Sequence, residues 1–273
     1  MSCSPTAGDP TAPTTTVPTS VSLTTSSLAE LAPPCRENGY VASGPIGRVG
    51  DSDGDAGQIS GITLEDVEGC ERITVDFATR GGAPATRLTP TQVELLEDIG
   101  VVRISFNPSI QSTALAESVF EGSLAERAYV VRGLDGRLFI DLLLVRAAEA
   151  RVAGVQTPAQ LEIELRAGNG QQVGHPAISE LVVVTSPSTT EVAFPLEVAG
   201  YARTFEGNVV GRLTDSTGVR DEQTTTAAAY IETWGAFLLT VDGAGEGPLQ
   251  LFVGSESPSD GSPVGVTLDL NGP

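Results

Sequence analysis

The segments AFPLEVAGYA (193–202) and GNVVGRLTD (207–215) alternate apolar and polar residues, and the short stretch RTFE (203–206) separates them. Alternation with a period of two predicts half-buried β-strands. The phase of the alternation slips at Phe205, which indicates a β-bulge or a crossing from one sheet to another. We expect Phe205 to fill a core at this point, and Glu206 to cap backbone donors or face solvent.

The same alternation extends over the whole C-terminal part of the chain. The predicted strands span 180–187, 193–202, 207–215, 223–232, 236–242, 248–257 and 263–270. Turn sequences such as DSTG (215–218) and SPSDG (257–261) separate them. Seven short alternating strands are typical of an immunoglobulin-like β-sandwich, here without a Cys…Trp…Cys core. We therefore predict such a sandwich over residues 178–273.

A second β-rich domain is predicted over residues 35–170, so the fold class is all-β. CERITVDFAT (70–79) alternates in the same way. Further strands are predicted at 101–106, 127–133, 137–145, 148–155 and 159–167. The one helical candidate is the segment 113–126, which Gly122 weakens. The polar, glycine-rich segment 168–175 predicts a linker between the two domains.

The N-terminal segment 1–34 consists mainly of Thr, Ser, Pro and Ala, which predicts a disordered, flexible tether. A cysteine followed by such a tether, here Cys3, looks like the lipid-bearing start of a mature bacterial lipoprotein. The alternative is an ordinary disordered N-terminus with a chance cysteine. The apolar export signal does not precede Cys3 here, so we expect a cell-surface lipoprotein chain without its signal peptide. An exported chain permits a disulfide between the remaining pair, Cys35 and Cys70.

The charge balance excludes several classes of partner. The chain carries 15 basic and 35 acidic residues, a net charge of −20, and all of the basic residues are arginine. Nucleic-acid binding requires a basic face, and adsorption to anionic lipid requires cationic residues. We therefore expect no nucleic-acid partner and membrane contact only through an N-terminal lipid. The acidity is otherwise consistent with solubility in an extracellular or salty setting.

The segments 186–218, 234–243 and 247–263 resemble the immunoglobulin-like domain of bacterial spore-germination proteins. The residues that carry the resemblance are Pro187, Gly200, Ala202, Phe205, Glu206, Val209, Gly235, Phe237, Asp260 and Gly261. The resemblance implies an exported accessory domain that binds or assembles at the cell envelope. The family has no catalytic residues, so none is assigned here.

The segments GCERITVDF (69–77) and VQTPAQLEIEL (155–165) resemble the AMIN-like domain of actinobacterial envelope lipoproteins. Glu71 stands where that family usually has aspartate, and the middle of the domain diverges. The resemblance implies binding to cell-wall polysaccharide or peptidoglycan.

Acidic residues offer two candidate sites. Asp51, Asp53 and Asp55 alternate as the oxygen ligands of a calcium loop do, although Ala56 and Ile62 stand where an EF-hand requires Gly and Glu. The alternative is a solvated Asp- and Gly-rich turn. Asp76 and Asp141 lie on predicted strands, where they would serve a glycoside hydrolase as acid and base or, as we expect, face solvent.

Aromatic residues and the single histidine have structural interpretations. Trp234, Phe237, Tyr230 and Tyr201 would stack on a sugar ring if exposed, but the scarcity of aromatic residues favours core positions. His175 lies in the predicted linker, and histidine is the usual general base and zinc ligand. We expect it to be exposed there and to have no catalytic role. The chain has no motif for nucleotide binding.

These observations favour a non-enzymatic cell-envelope module without cofactors. It would recognise cell-wall glycan or peptidoglycan, or an envelope partner protein. The alternatives are a protein-interaction scaffold with no glycan binding and a carboxylate-dependent glycan hydrolase. An exposed apolar patch would favour the scaffold, and two cleft-facing buried carboxylates would favour the hydrolase.

Overall fold

The computed structural model describes residues 34–170, 174–243, 247–257 and 259–273. The predicted tether, with its Cys3, lies outside the described residues except for Pro34. We refer below to residues 34–170 as the N-terminal half and to residues 174–273 as the C-terminal half. Both belong to one compact unit, residues 34–273.

Strands account for nearly all of the regular structure in the described residues, so the all-β prediction is confirmed. The strands of the N-terminal half are β1 (Gly44–Val49), β2 (Gln58–Val67), β3 (Cys70–Ala78), β4 (Thr91–Leu96), β5 (Val101–Phe106), β6 (Ser112–Thr113), β7 (Glu117–Val119), β8 (Ala125–Arg132), β9 (Leu138–Leu144), β10 (Ala148–Val155) and β11 (Gln160–Ala167). Those of the C-terminal half are β12 (Ala177–Ile178), β13 (Val182–Ser186), β14 (Leu196–Ala202), β15 (Asn208–Asp215), β16 (Gly218–Thr226), β17 (Trp234–Val241), β18 (Gly247–Glu256) and β19 (Pro263–Gly272).

Helical structure within the described ranges is limited to two 3-10 turns, Glu97–Ile99 and Phe205–Gly207. In the described part of the chain, no helix has the length and apolar character needed to cross a membrane.

The strands form three sheets in the described residues. One long sheet has the order β1-β4-β5-β9-β8-β17-β14-β13-β12, with β7 beside β8. A five-stranded sheet, β10-β11-β3-β2-β6, belongs to the N-terminal half, and a four-stranded sheet, β16-β15-β18-β19, belongs to the C-terminal half. The long sheet therefore provides one layer of two successive β-sandwiches. The predicted immunoglobulin-like sandwich is confirmed, with the two-residue β12 added to the seven expected strands.

Each sandwich has its own apolar core. Ile73 and Val75 of the five-stranded sheet and Ile140 of the long sheet belong to the N-terminal core. Phe237 of the long sheet and Leu251 of the four-stranded sheet belong to the C-terminal core. Val75, Phe237 and Leu251 alternate along their strands with more exposed residues, and this alternation is why the period-two pattern located most strands correctly.

The two sandwiches are joined through neighbouring parallel strands. In the long sheet β8 lies beside β17, with Val131 opposite Trp234 and Arg132 opposite Gly235. β8 belongs to the N-terminal half and β17 to the C-terminal half. The contact between the halves therefore includes a strand pairing between residues about a hundred positions apart.

The helical candidate over 113–126 is not a helix, because this segment contains the end of β6, β7 and the start of β8. The backbone N–H groups of residues 123–125 all donate to the buried carboxylate of Glu71 on β3. Donors held by a distant side chain are not available to carbonyls one helical turn earlier. The carboxylate of Glu71 thus fixes a non-helical bend at the start of β8.

Of the two alternatives expected near Phe205, a β-bulge or a crossing, the structure has the crossing, since β14 lies in the long sheet and β15 in the four-stranded sheet. The prediction that Phe205 fills the core is wrong, because 63% of this residue is exposed. A 3-10 turn makes the crossing, with Glu206 exposed at a φ of 56°. In this tight turn the backbone passes from one sheet to the other, while the Phe205 side chain stays outside the space between the two sheets.

Four other residues that carry the family resemblance, and that we expect to form its core, are buried: Gly200, Ala202, Val209 and Phe237. Gly200 has a specific role, because a Cβ there would lie 2.0 Å from the carbonyl oxygen of Val183 on the neighbouring strand. Only glycine allows that approach.

The strand predicted over 223–232 begins and ends earlier, as β16. Residues 227–233 therefore form a loop at the same end of the sandwich as the 3-10 turn. A backbone hydrogen bond from Ala227 to Gly207, of 2.8 Å, holds the two segments together.

Candidate functional site

Three large aromatic side chains form a buried cluster at the junction of the two halves. Tyr129, Tyr201 and Trp234 pack together with ring centroids 4.7 to 6.0 Å apart, and each is at most 1% exposed. Phe237 is also buried, in the C-terminal core. Burial raises the pKa of the Tyr129 hydroxyl to about 12 and that of Tyr201 well above its ordinary value. These rings serve as core and are not accessible to a sugar.

Behind this junction lies a buried ion pair. Arg103 donates two hydrogen bonds of 2.7 Å to the carboxylate of Asp141, which is completely buried. The expectation that Asp141 faces solvent is therefore wrong: its strand lies in the middle of the long sheet, and Arg103 on the adjacent β5 supplies the counter-charge. Burial raises the pKa of the Asp141 carboxyl, and Arg103 opposes that shift.

Asp76 and Asp141 do not meet as a catalytic pair. Asp76 is on β3 in the five-stranded sheet and accepts a 2.8 Å hydrogen bond from the side-chain amide of Gln160. Asp141 is on β9 in the long sheet and is occupied by Arg103. Acid–base hydrolysis requires both carboxyl groups at one cleft, and these two residues belong to opposite layers of the sandwich.

The Asp-rich loop uses two of its carboxylates within the protein. Asp55 accepts hydrogen bonds from the backbone N–H groups of Thr86 and Arg87. The pKa of the Asp55 carboxyl is lowered, mainly by the hydrogen bond from Arg87. Asp53 pairs with the guanidinium of Arg87. Asp51 receives only a 3.4 Å contact from Gln156. Among the described residues these three carboxylates do not form a metal-sized cluster, and the calcium site stays a prediction.

The start of the N-terminal half is linked to β3 by a disulfide, next to a cluster of charged side chains around Glu164. A disulfide joins Cys35 to Cys70 at the start of β3. Their sulfurs and the Glu164 carboxylate form the one group with metal-ligand spacing in the described residues, but the disulfide occupies both sulfurs. The carboxylate of Glu164 accepts hydrogen bonds from Arg72, at 2.9 Å, and from Arg151, at 3.1 Å.

His175 is exposed, as expected for a loop residue. Its Nε2 lies 3.1 Å from the Glu126 carboxylate and its Nδ1 lies 2.9 Å from the carbonyl oxygen of Pro176. Neither contact places a hydroxyl or thiol nucleophile beside the ring, so this histidine has the geometry of a surface contact between the halves.

Exposed apolar side chains gather at one end of the C-terminal sandwich. We call Phe205, Tyr230 and Ile231 the tip patch; they are 63%, 41% and 70% exposed. Phe205 belongs to the 3-10 turn and the other two to the loop after β16. The two segments are in close contact, because Gly207 of the 3-10 turn lies so near the Tyr230 ring that a Cβ on it would be 3.3 Å away.

A groove of about 260 Å³ runs beside the tip patch. Arg132, from the N-terminal half, and residues 229–233 line it. Arg132 donates to the carbonyls of Gln111 and Gly136, and Arg203 donates to the carbonyl of Ile231. Among the described residues neither guanidinium forms an ion pair. The groove therefore combines apolar surface with one arginine, Arg132, held in place by backbone carbonyls, and Arg203 bonds to the backbone of the adjoining tip patch.

A second, polar groove of about 490 Å³ lies between the β15–β16 turn, the start of β18 and the end of β19. Its polar lining residues are Thr190, Thr214, Asp215, Ser216, Gln250, Asp269 and Asn271. The Gln250 amide donates to Asp269, which lies opposite it on the paired strand β19, at 3.0 Å. Hydroxyl, amide and carboxylate groups can bind sugar hydroxyls, but the lining contains no aromatic ring.

Comparison with known families agrees with the architecture of the C-terminal half. Residues 181–262 match the family model described as the immunoglobulin-like domain of bacterial spore germination. No curated protein and no solved structure matches the chain. The matched family is a non-catalytic fold type, so the fold and the match together indicate a non-enzymatic binding or interaction module.

Sequence reasoning missed the tip patch, which combines residues assigned to a core and to a strand. The run AAAYIE (227–232) contained a signal, because three consecutive small residues break the large-apolar alternation before Tyr230 and Ile231. No signal in the sequence placed Arg132 beside them, since that contact depends on the pairing of β8 with β17.

Proposed function

We propose that this chain is a non-enzymatic interaction module of the bacterial cell envelope, and that the tip patch docks a partner protein. The observation that carries the proposal is the exposure of Phe205, Tyr230 and Ile231 on two connected loops. Contiguous apolar surface on a soluble protein marks an interaction site. Arg132 and Arg203 add the residue type that protein interfaces favour.

The proposed cellular location rests on the N-terminal part of the chain. We propose that the protein is exported and carries a lipid on Cys3, with residues 1–34 as a tether to the membrane surface. The proposal is supported by the Ser-, Thr- and Pro-rich composition of that segment and by a disulfide between Cys35 and Cys70, which suits an oxidising compartment. On the resemblance of segments 69–77 and 155–165, we propose that the N-terminal half is AMIN-like and of actinobacterial type.

Photo-crosslinking tests the docking of a partner. A photoreactive residue at position 231 of the full chain should give a defined adduct with one protein of an envelope fraction from the encoding organism. Excess unlabelled chain should suppress that adduct, whereas a competitor carrying Ile231→Asp should not. Val219, 60% exposed on β16, provides the matched control, because a Val219→Asp competitor should suppress the adduct fully. Equal suppression by both variants would reject the tip patch as the docking site.

A second candidate function is binding of cell-wall glycan or peptidoglycan, which the polar groove favours. Its planar amide and carboxylate groups are suited to the hydroxyls of a sugar. The full chain should then cosediment with purified peptidoglycan, and the double change Gln250→Ala and Asp269→Ala should abolish cosedimentation. Retention no greater than that of an unrelated immunoglobulin-like domain would remove this function and leave protein docking unaffected.

A further inference from the structure

One side of β2 lacks a strand partner over most of its length. β2 pairs with β3 from Gln58 to Val67 on one side. On the other side, among the described residues, it pairs only through Gln58 and Ile59, with β6. From Gly61 onward, β2 is therefore an open edge of the five-stranded sheet.

The hairpin geometry determines which backbone groups this edge presents. Val67 is opposite Cys70 across a two-residue turn, so this pair bonds within the hairpin, and bonded and non-bonded pairs then alternate along the ladder. The N–H and C=O groups of Ile62, Leu64 and Asp66 consequently point away from β3. A 3.2 Å hydrogen bond from the Ser118 hydroxyl to the carbonyl oxygen of Ile62 agrees with that direction.

A groove of about 530 Å³ runs beside the open edge. Ile62, Thr63 and Leu64 form one wall, and residues 118–121 form the other. Leu64 is half-buried and Val119 is 64% exposed, so the groove has apolar surface for a side chain next to free backbone hydrogen-bonding groups. An added extended strand uses both of these features.

The edge carries a uniform negative charge. Glu65, Asp66, Glu68 and Glu121 are exposed, and in the described ranges none of them forms an ion pair. A second copy of this chain pairing through the same edge would bring like charges together, which is destabilising. A segment rich in lysine or arginine would complement the charge.

We propose that the open edge of β2 accepts an extended, basic segment of a partner protein as an added β-strand. The segment bonds to the outward backbone groups of Leu64 and Asp66 and places one apolar side chain between Leu64 and Val119. Its cationic side chains lie against the four free carboxylates. This interaction surface is independent of the tip patch, so loss of one function would leave the other unchanged.

The test uses the full chain and a fluorescent peptide of about eight residues that alternates valine with lysine or arginine, a length that matches a typical strand. Anisotropy should show saturable binding that weakens as salt is raised. Amide hydrogen exchange should slow at Leu64 and Asp66 when the peptide binds. A peptide with glutamate at the basic positions should not bind.

Two variants separate strand addition from simple charge attraction. The change Asp66→Pro removes an outward N–H without removing a bond to β3, and should weaken binding by about tenfold or more, more than the charge-matched Asp66→Asn. The change Glu197→Lys, on the exposed face of β14, is the control and should leave binding unchanged. Binding without protection of Leu64 and Asp66, equal binding of a proline-interrupted basic peptide, or no binding would each overturn the proposal.

Discussion

The rings of Tyr129 and Trp234 meet edge to face, with centroids 4.7 Å apart and ring planes at 73°. Tyr129 comes from the N-terminal half and Trp234 from the C-terminal half. Both are buried, and Tyr201 completes the cluster. Since the same region contains the β8–β17 pairing, packing and backbone bonding jointly connect the two sandwiches.

Removing the indole should disconnect the two halves. The change Trp234→Ala should cost about 3–5 kcal/mol, because it opens a cavity in a fully packed cluster. We expect the wild type to unfold in one calorimetric transition and this variant to show two. The exposed Tyr230 is the control, and Tyr230→Ala should change stability by less than about 0.5 kcal/mol. A single, unshifted transition in the tryptophan variant would contradict this role.

The bend at the start of β8 should depend on one carboxylate. Glu71→Ala leaves the N–H groups of residues 123–125 without their acceptor, so we expect a loss on the order of 3 kcal/mol in urea denaturation. Amide exchange at these three positions should accelerate. Glu197→Ala, an exposed carboxylate on β14, should change neither measurement. Unchanged exchange in the Glu71 variant would show that other contacts hold the bend.

The disulfide closes a loop with a sequence separation of 35. In the chain-entropy treatment such a loop contributes about 4 kcal/mol by restricting the unfolded chain. Cys35→Ser with Cys70→Ser should lower the free energy of unfolding by roughly this amount. Reductant should destabilise the wild type and have no effect on the double variant. The change Cys3→Ser is the control and should leave stability unaltered.

Acid should reduce the contribution that the ion pairs of Glu164 make to the stability of the fold. Burial by itself raises the pKa of this carboxyl, but Arg72, the Arg36 N–H, Tyr40 and Arg151 outweigh burial, and the pKa lies below 4.5. Because the folded-state pKa is depressed, its stabilisation is present above the ordinary glutamate pKa. The stabilisation is lost as the pH falls through the lower folded value.

The corresponding measurement is the midpoint of thermal unfolding between neutral pH and about pH 3. Glu164→Gln should be less stable than wild type at neutral pH by about 3 kcal/mol, as for other broken buried pairs. The difference should shrink in acid. Glu162→Gln on the same strand should follow the wild-type profile. A difference that stays constant with pH would assign the loss to packing instead of charge.

The Asp-rich loop provides a prediction about metal removal. Asp55 and Asp53 already bind donors from residues 86 and 87, so calcium would have to displace those contacts. We therefore expect neither added calcium nor a chelator to shift the unfolding midpoint. A calcium-dependent increase that Asp51→Asn abolishes would instead establish the site predicted from the sequence.

Period-two alternation was sufficient to predict an all-β chain and most strand positions, and it located an irregularity near Phe205 without deciding between a bulge and a change of sheet. Alternation reports which residues of a strand face a core, and this is a local property. It failed at 113–126, where local propensity indicated a helix. There, a hydrogen-bonding side chain from β3, more than fifty residues away, decided the backbone conformation.

The sequence by itself determined that this protein is all-β, that its C-terminal half is a β-sandwich, and that this half resembles the immunoglobulin-like domain of bacterial spore germination. Tertiary structure alone decided that one long sheet serves both sandwiches, that Asp141 is buried against Arg103, and that Phe205 faces solvent. The physical reason is that these outcomes depend on pairings between distant strands. No local pattern specifies the strand beside which another strand will lie. The candidate interaction surfaces arise where such pairings stop, at the open edge of β2 and at the loops beyond β14 and β16.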